Sequence, residues 1–304
     1  MEIDPHCCQT LRANIPKYFP HAKVLQTDIR TLDPQELLDK ISLHSSDLDL
    51  ISGGPPCQGF SIAKESKGGR NPNDPRDGLI LHFTRFVDAI RPRAFLMENV
   101  PGLLNKMSGR IFERMVQTFE KLGYTVNYSL LNSADYGVPQ IRRRLFILGS
   151  REGISLRFPK PTHAPASSQP GLKPYVTIKE AFSPLTSDMP NQEPPRHTRK
   201  KVEKLRSIPP GSPWSRWRFR DRFDSPSRCI TGHCRDDWVH PVDPRTGTVR
   251  ELATLQTYPT DYVFCGPIMG LNNSKFHFQY RQVGNSVPVL LAEKMGGVII
   301  RQIR

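Results

Sequence analysis

Across the first 150 residues, short apolar runs alternate with stretches of helical spacing, and this alternation narrows the fold more than any other feature. LDLISGG, AFLMENV, YTVNYSLLN and RRLFILGS are runs of strand length, and the first two are apolar enough for strands buried on both faces. Between them, Leu79 to Ile90 has helical spacing. A further helix places Ile111, Met115, Phe119 and Leu122 on one face and stops at Gly123. Asp33-Pro34-Gln35-Glu36 is a helix start. Asp33 can cap, Pro34 suits the first helical position, Glu36 can reach back, and Leu37, Leu38 and Ile41 follow. Strands and helices in alternation with short connections predict an α/β fold with a doubly wound sheet.

Beyond Gly149 the pattern is lost. Residues 151–240 hold 13 of the 29 prolines, and the only helical piece is a short one near Lys200. Within 196–222 there are ten Lys or Arg against Glu203 and Asp221, a local balance of +8, interleaved with Trp214, Trp217 and Phe219, and with Phe223 just beyond. The whole chain carries +14, with a pI of about 9.7, which points to a polyanionic partner. No apolar run reaches transmembrane length and MEIDPHCCQT lacks a signal h-region, so no membrane partner is expected. The six cysteines form no C-x-x-C pair, which suggests neither a disulfide framework nor a zinc knuckle. Cys229, His233 and Cys234 read as scattered residues, no metal is expected, and a reducing cytoplasmic setting is the default. Residues 241–304 regain regularity and end in the apolar helix VPVLLAEKMGGVII.

Three segments could carry chemistry. Cys57, in GGPPCQGFS, lies where the LDLIS strand should end, the place where open α/β sheets bind ligands. Prolines stiffen that turn, glycines allow close approach, and a thiol there can be a nucleophile once its pKa is lowered. Glu98 in MENV would lie one strand over, where a buried carboxyl can stay protonated and donate to a base nitrogen. In QIRRR, Arg142 and Arg144 would share one side of a strand and could hold a base oxygen and phosphates. Each has a plainer reading: a structural cysteine, a capping acid, a polar strand face.

The order PPCQGFS, MENV, QIRRR, RELATLQTYP, QVGNSVP is similar to the ordered motif set of the cytosine-5 DNA methyltransferases. Any one motif is weak, while five in this order are specific, and they span the chain outside residues 151–225. The resemblance implies a Rossmann-like, S-adenosylmethionine-dependent methyltransferase sheet in residues 1–152, completed by a C-terminal helix in 278–304. A smaller, irregular, mostly β target-recognition domain would occupy 153–277. It implies methyl transfer to C5 of a cytosine flipped out of double-stranded DNA, in restriction-modification or epigenetic marking. Cys57 would add to C6, Glu98 would hold N3, Arg144 would grip O2, and Arg142 and Ser61 would position the loop and phosphates. Gln58, Ser61, Arg216, Arg218 and Arg220 would face the DNA. S-adenosyl-L-methionine would meet Glu2 at its ribose, Asp28 and Ile29 at its adenine, and also Pro56, Leu79, Asn285, Ser286 and Val287. Arg250 and Glu251 would buttress the recognition domain. The alternatives are a catalytically incompetent DNA-binding fragment, one half of a split methyltransferase, and a tRNA cytosine-5 methyltransferase.

One family motif, Phe-x-Gly-x-Gly-Gly after the first strand, has no counterpart here. The resemblance therefore implies an N-terminally truncated sheet lacking the central strand of the order 3-2-1-4-5. The expectation is a truncated frame, a miscalled start, or a chain that works with an N-terminal complementing chain.

Overall fold

The computed structural model describes residues 1–56, 78–165, 170–213, 218–269 and 277–304, apart from the side chains of 106–111. Two compact units emerge. One comprises residues 27–131, 143–159 and 294–304, the other 1–26, 132–142 and 160–293. The chain thus divides differently from the expected 1–152 and 153–277. The reason is packing: Ile178, Ile230 and Trp238 share one core with Val249, Leu252, Tyr280 and Val283. Of the segment expected to complete the sheet, residues 278–293 group with the irregular segment and 294–304 with the sheet.

The first unit is built on a four-stranded sheet of Leu50–Gly53 (β1), Ala94–Asn99 (β2), Thr125–Asn132 (β3) and Arg143–Ser150 (β4), in the order β1-β2-β4-β3. β1 runs parallel to β2, whereas β4 is antiparallel to β2, a departure from a purely parallel sheet. Only residues 133–142 separate β3 from β4, too few for the crossover that parallel neighbours need. Ala94, Phe95 and Met97 of β2 and Leu145, Ile147 and Leu148 of β4 are fully buried, as central strands covered on both faces must be. Phe95 stacks on Phe119 at 4.2 Å between centroids, in a core with Phe83 and Tyr124. Gly149 pairs with Phe95, whose ring occupies the space a Cβ there would need. Among the described residues β1 pairs with β2 alone.

Pro34–Ile41 (α2) begins as the sequence suggests, with Asp33 accepting from the N–H of Gln35 at 2.8 Å and Pro34 in the first turn. Glu36 does not reach back; it pairs with Lys40 at 2.6 Å. Leu79–Ile90 (α3) buries Ile80, Phe83, Phe86, Val87 and Ile90 on one face, and Lys106–Lys121 (α4) follows β2. Pro5–Tyr18 (α1), in the other unit, is a further helix, and its Asp4-Pro5 start has the same form as Asp33-Pro34.

The second unit is irregular, with two-residue strands Ser212–Pro213 (β7), Phe219–Arg220 (β8) and Trp238–Val239 (β9) in one small sheet and His163–Ala164 (β5) and Lys173–Pro174 (β6) in another. Its helices are Ile178–Phe182 (α5), Arg199–Arg206 (α6), Cys234–Asp237 (α7), Val249–Leu255 (α8) and Gln279–Asn285 (α9). Thr248 and Glu251 form a reciprocal capping box at the start of α8. Val289–Ile303 (α10) ends the chain and belongs to both units. Among the described residues no single helix is long and apolar enough to cross a membrane.

Candidate active site

In the sheet unit, β1 delivers the chain to Gly54-Pro55-Pro56, and Glu98 lies at the C-terminal end of the adjoining β2. Glu98 is half-buried and forms an ion pair with Arg144, Oε1 to Nε, at 3.0 Å. Strand register explains the pairing. Glu98 stands opposite Phe146, and Arg144 is two residues along β4 on the same face, within diagonal reach. Gly54 makes room for the carboxylate, since a Cβ there would sit 3.2 Å from Glu98 Oε2. The next residue, Asn99, is buried; its Nδ2 donates to the Pro55 carbonyl at 3.0 Å and its Oδ1 accepts from the Val100 N–H at 2.9 Å. Asn99 therefore anchors the loop that leads to Cys57 to the strand that carries Glu98. Nothing in the MENV motif by itself marks Asn99 for this task. Cys57 itself lies outside the described residues, as do Gln58, Ser61 and Arg216.

Arg142 and Arg144 do not share a strand face. Arg142 precedes β4, belongs to the second unit and is 1% exposed. Its guanidinium donates to the carbonyls of Ile230 at 2.5 Å, Gly284 at 3.1 Å and Ser286 at 2.9 Å. These bonds commit it to holding the QVGNSVP turn rather than to phosphates. Gln140, fully buried, extends that brace by donating to the Leu255 carbonyl at 3.2 Å and accepting from the Ile230 N–H at 2.9 Å. Gln256 donates in turn to the Val283 carbonyl at 2.9 Å. Three sequence motifs thus meet through side chain to main chain bonds that no linear pattern exposes.

The expected cofactor residues are divided between the units. In the second, Glu2 accepts the Asp4 N–H at 2.8 Å and forms a parallel bridge with Gln26. Asn285 is exposed, with Ser286 and Val287 half-buried beside it. In the sheet unit, Ile29 and Leu79 are half-buried, Pro56 is exposed and Pro55 is buried. The Asp28 carboxylate is held by Arg30 at 2.5 to 3.0 Å, which keeps it below the usual carboxylate range. An adenine amino group at Asp28 would share that acceptor with Arg30.

Arg220 departs from its expected role as a DNA contact. It is 6% exposed, and its guanidinium donates to the carbonyls of His240, Pro241, Val242, Leu205 and Ile208 at 2.6 to 3.4 Å. Burial lowers its pKa from the ordinary arginine value, and no face remains for a phosphate. Arg218 stays accessible, 3.7 Å from Asp237. Arg250 is fully buried and donates to the carbonyls of Pro190, Pro259 and Tyr262. Glu251 takes two bonds from Arg245 at 2.7 and 2.8 Å.

The fold is that of the Rossmann-like methyltransferases, and the structure of the Entamoeba histolytica methyltransferase EhMeth is similar to it with a TM-score of 0.64 at 15% identity, over 100% of this chain and 89% of the other. The chain belongs to the C-5 cytosine-specific DNA methylase family, whose model matches residues 1–301, and is an enzyme of the DNA cytosine-5 methyltransferase class. It is 37% identical over 322 residues to the Type II methyltransferase M1.HphI of Haemophilus parahaemolyticus, covering 99% of this chain and 80% of that one. It is also 39% identical over 205 residues to the Type II methyltransferase M.AquIA of a Picosynechococcus strain, covering 62% of this chain and 80% of that one.

Proposed function

We propose that this methyltransferase modifies C5 of a cytosine flipped out of double-stranded DNA at a specific sequence, as the modification arm of a restriction-modification system. The observation that carries the reading is the Glu98–Arg144 pair at the end of β2, next to the Gly54-Pro55 approach to Cys57. A flipped base entering beside that pair meets a carboxyl group for N3 and a guanidinium for O2. The Cys57 thiolate adds to C6, forming a C–S bond and moving the electron pair of the C5–C6 double bond to C5. Glu98 holds a proton at N3, so that negative charge does not accumulate on the ring. S-adenosyl-L-methionine, when bound, supplies an electrophilic methyl group for C5. Solvent then takes the C5 proton, and the freed electron pair restores the double bond and expels the Cys57 thiolate.

Glu2, Asp28, Ile29, Pro56, Leu79, Asn285, Ser286 and Val287 are the residues we assign to the cofactor. The half-buried Ile29 and Leu79 suit an apolar ring, and the Glu2 carboxylate suits a pair of hydroxyls. The DNA-facing set is Gln58, Ser61, Arg216 and Arg218, while Arg142 acts as a positioning residue. The outer edge of β1, without a strand partner among the described residues, supports the reading that a complementing segment adds a strand there. A DNA substrate and free cysteines fit a reducing cytoplasmic setting.

DNA containing 5-fluorocytosine tests the chemistry, because fluorine cannot leave C5 as a cation. In the complemented protein, with S-adenosyl-L-methionine present, a covalent protein–DNA adduct is expected with Cys57 intact and none with Cys57→Ala. Equal adduct yield from both would refute the nucleophile assignment.

A further inference from the structure

At the N-terminal end of α1 three potential metal ligands from distant parts of the chain converge. The nearest ligand atoms of Asp4, Cys7 and His277 all lie within 4.8 Å of one another. Asp4 is 3% exposed and uses its two oxygens differently. Oδ1 caps the helix, accepting the N–H groups of His6 at 2.9 Å and Cys7 at 3.1 Å. Oδ2 faces His277, taking its main-chain N–H and lying 2.8 Å from the ring Nδ1. All three residues belong to the same compact unit. The Cys229, His233 and Cys234 set weighed from sequence does not come together as a ligand group among the described residues. There the Cys234 thiol points at the Tyr280 carbonyl, 3.3 Å away.

We infer that Asp4 Oδ2, Cys7 Sγ and His277 Nδ1 form a zinc-type site, three protein ligands with a fourth position for water, that ties the start of α1 to the segment entering α9. One oxygen, one sulfur and one nitrogen are the donor types that zinc accepts. Tetrahedral bonds of about 2.0–2.3 Å place ligand atoms roughly 3.3–3.8 Å apart, so the Asp4–His277 pair, at 2.8 Å, must open by about 0.5 Å and the pairs to Cys7 close by about 1 Å at most. A second carboxylate lies close by, Glu2 accepting the Asp4 N–H at 2.8 Å. Binding breaks the Cys7 S–H bond as the sulfur–metal bond forms, and the proton leaves to buffer. His277 ligates through Nδ1 once its ring proton resides on Nε2.

The site is independent of the methyl-transfer reading, and its test uses no turnover. The full chain, freed of metal with chelator, is titrated with Co2+ as a spectroscopic stand-in and with Zn2+. One equivalent of Co2+ is expected to bind, with a thiolate-to-cobalt charge-transfer band in the near ultraviolet and release of a proton. Cys7→Ser should abolish the band, and Cys229→Ser should keep it. His277→Asn should weaken affinity by more than the roughly 10- to 100-fold that loss of a mere outer partner costs. Zn2+ should raise the melting temperature of the natural chain but not of Cys7→Ser, and the two proteins should melt alike without metal. Failure to bind one equivalent, or a band that survives Cys7→Ser, would overturn the site.

Discussion

Replacing Arg220 separates a structural cation from a DNA-reading one. Its guanidinium is the shared donor for five main-chain carbonyls drawn from 205–208 and 240–242. Arg220→Ala leaves those carbonyls in a buried site, where each unsatisfied polar group costs about 1–3 kcal/mol. Water entering the vacated volume would recover part of that. The net loss should resemble removal of one partner from a buried charged network, about 3–5 kcal/mol. Against a total stability of roughly 5–15 kcal/mol, such a loss moves the urea midpoint far to the left. Arg218→Ala, at an accessible position, should stay within about 0.5 kcal/mol of the natural chain. Urea unfolding followed by tryptophan fluorescence measures both, and fluorescence anisotropy on a DNA duplex in 50 and 200 mM salt completes the comparison. Arg218→Glu should weaken binding and flatten its salt dependence. The reasoning fails if Arg220→Ala costs less than about 1 kcal/mol while DNA affinity falls by itself.

Two further outcomes follow from the geometry. Asn99→Ala should lower kcat at least about tenfold by freeing the Pro55 carbonyl, with the fold retained; a kcat equal to that of the natural chain would show that the loop does not need the anchor. His197 accepts the Thr246 N–H through Nε2 at 3.2 Å, and burial, with Lys201 and Arg235 adding to it, holds its pKa below 6.5. Being a base with a depressed folded pKa, it contributes full stability above about pH 6.5 and loses it as pH falls from there, because the unfolded chain takes up the proton first. The urea midpoint should therefore drop between about pH 7.5 and 5.5 by less in His197→Gln than in the natural chain, and equal drops would refute the assignment.

Periodicity along the chain determined the local elements. Asp33-Pro34 started a helix, the apolar runs became β1 to β4, and Gly123 ended α4 with a positive φ of 82°. These depend on neighbours within a few residues, which the sequence displays. The order of motifs likewise determined the family, because that signal lies in residue identity and spacing. Only the tertiary structure decided how side chains of like type were spent. Arg144 meets a carboxylate two positions from its register partner, whereas Arg142, Arg220 and Arg250 disappear into carbonyl cages. In sequence, all four are simply cations. A buried guanidinium is tolerated only where enough oxygens converge on it, and those oxygens belong to the main chain of every residue type alike. Composition therefore cannot announce such a cage. The same limit hid the meeting of Asp4 and Cys7 with His277, three ordinary residues until folding brings together ends of the chain about 270 positions apart.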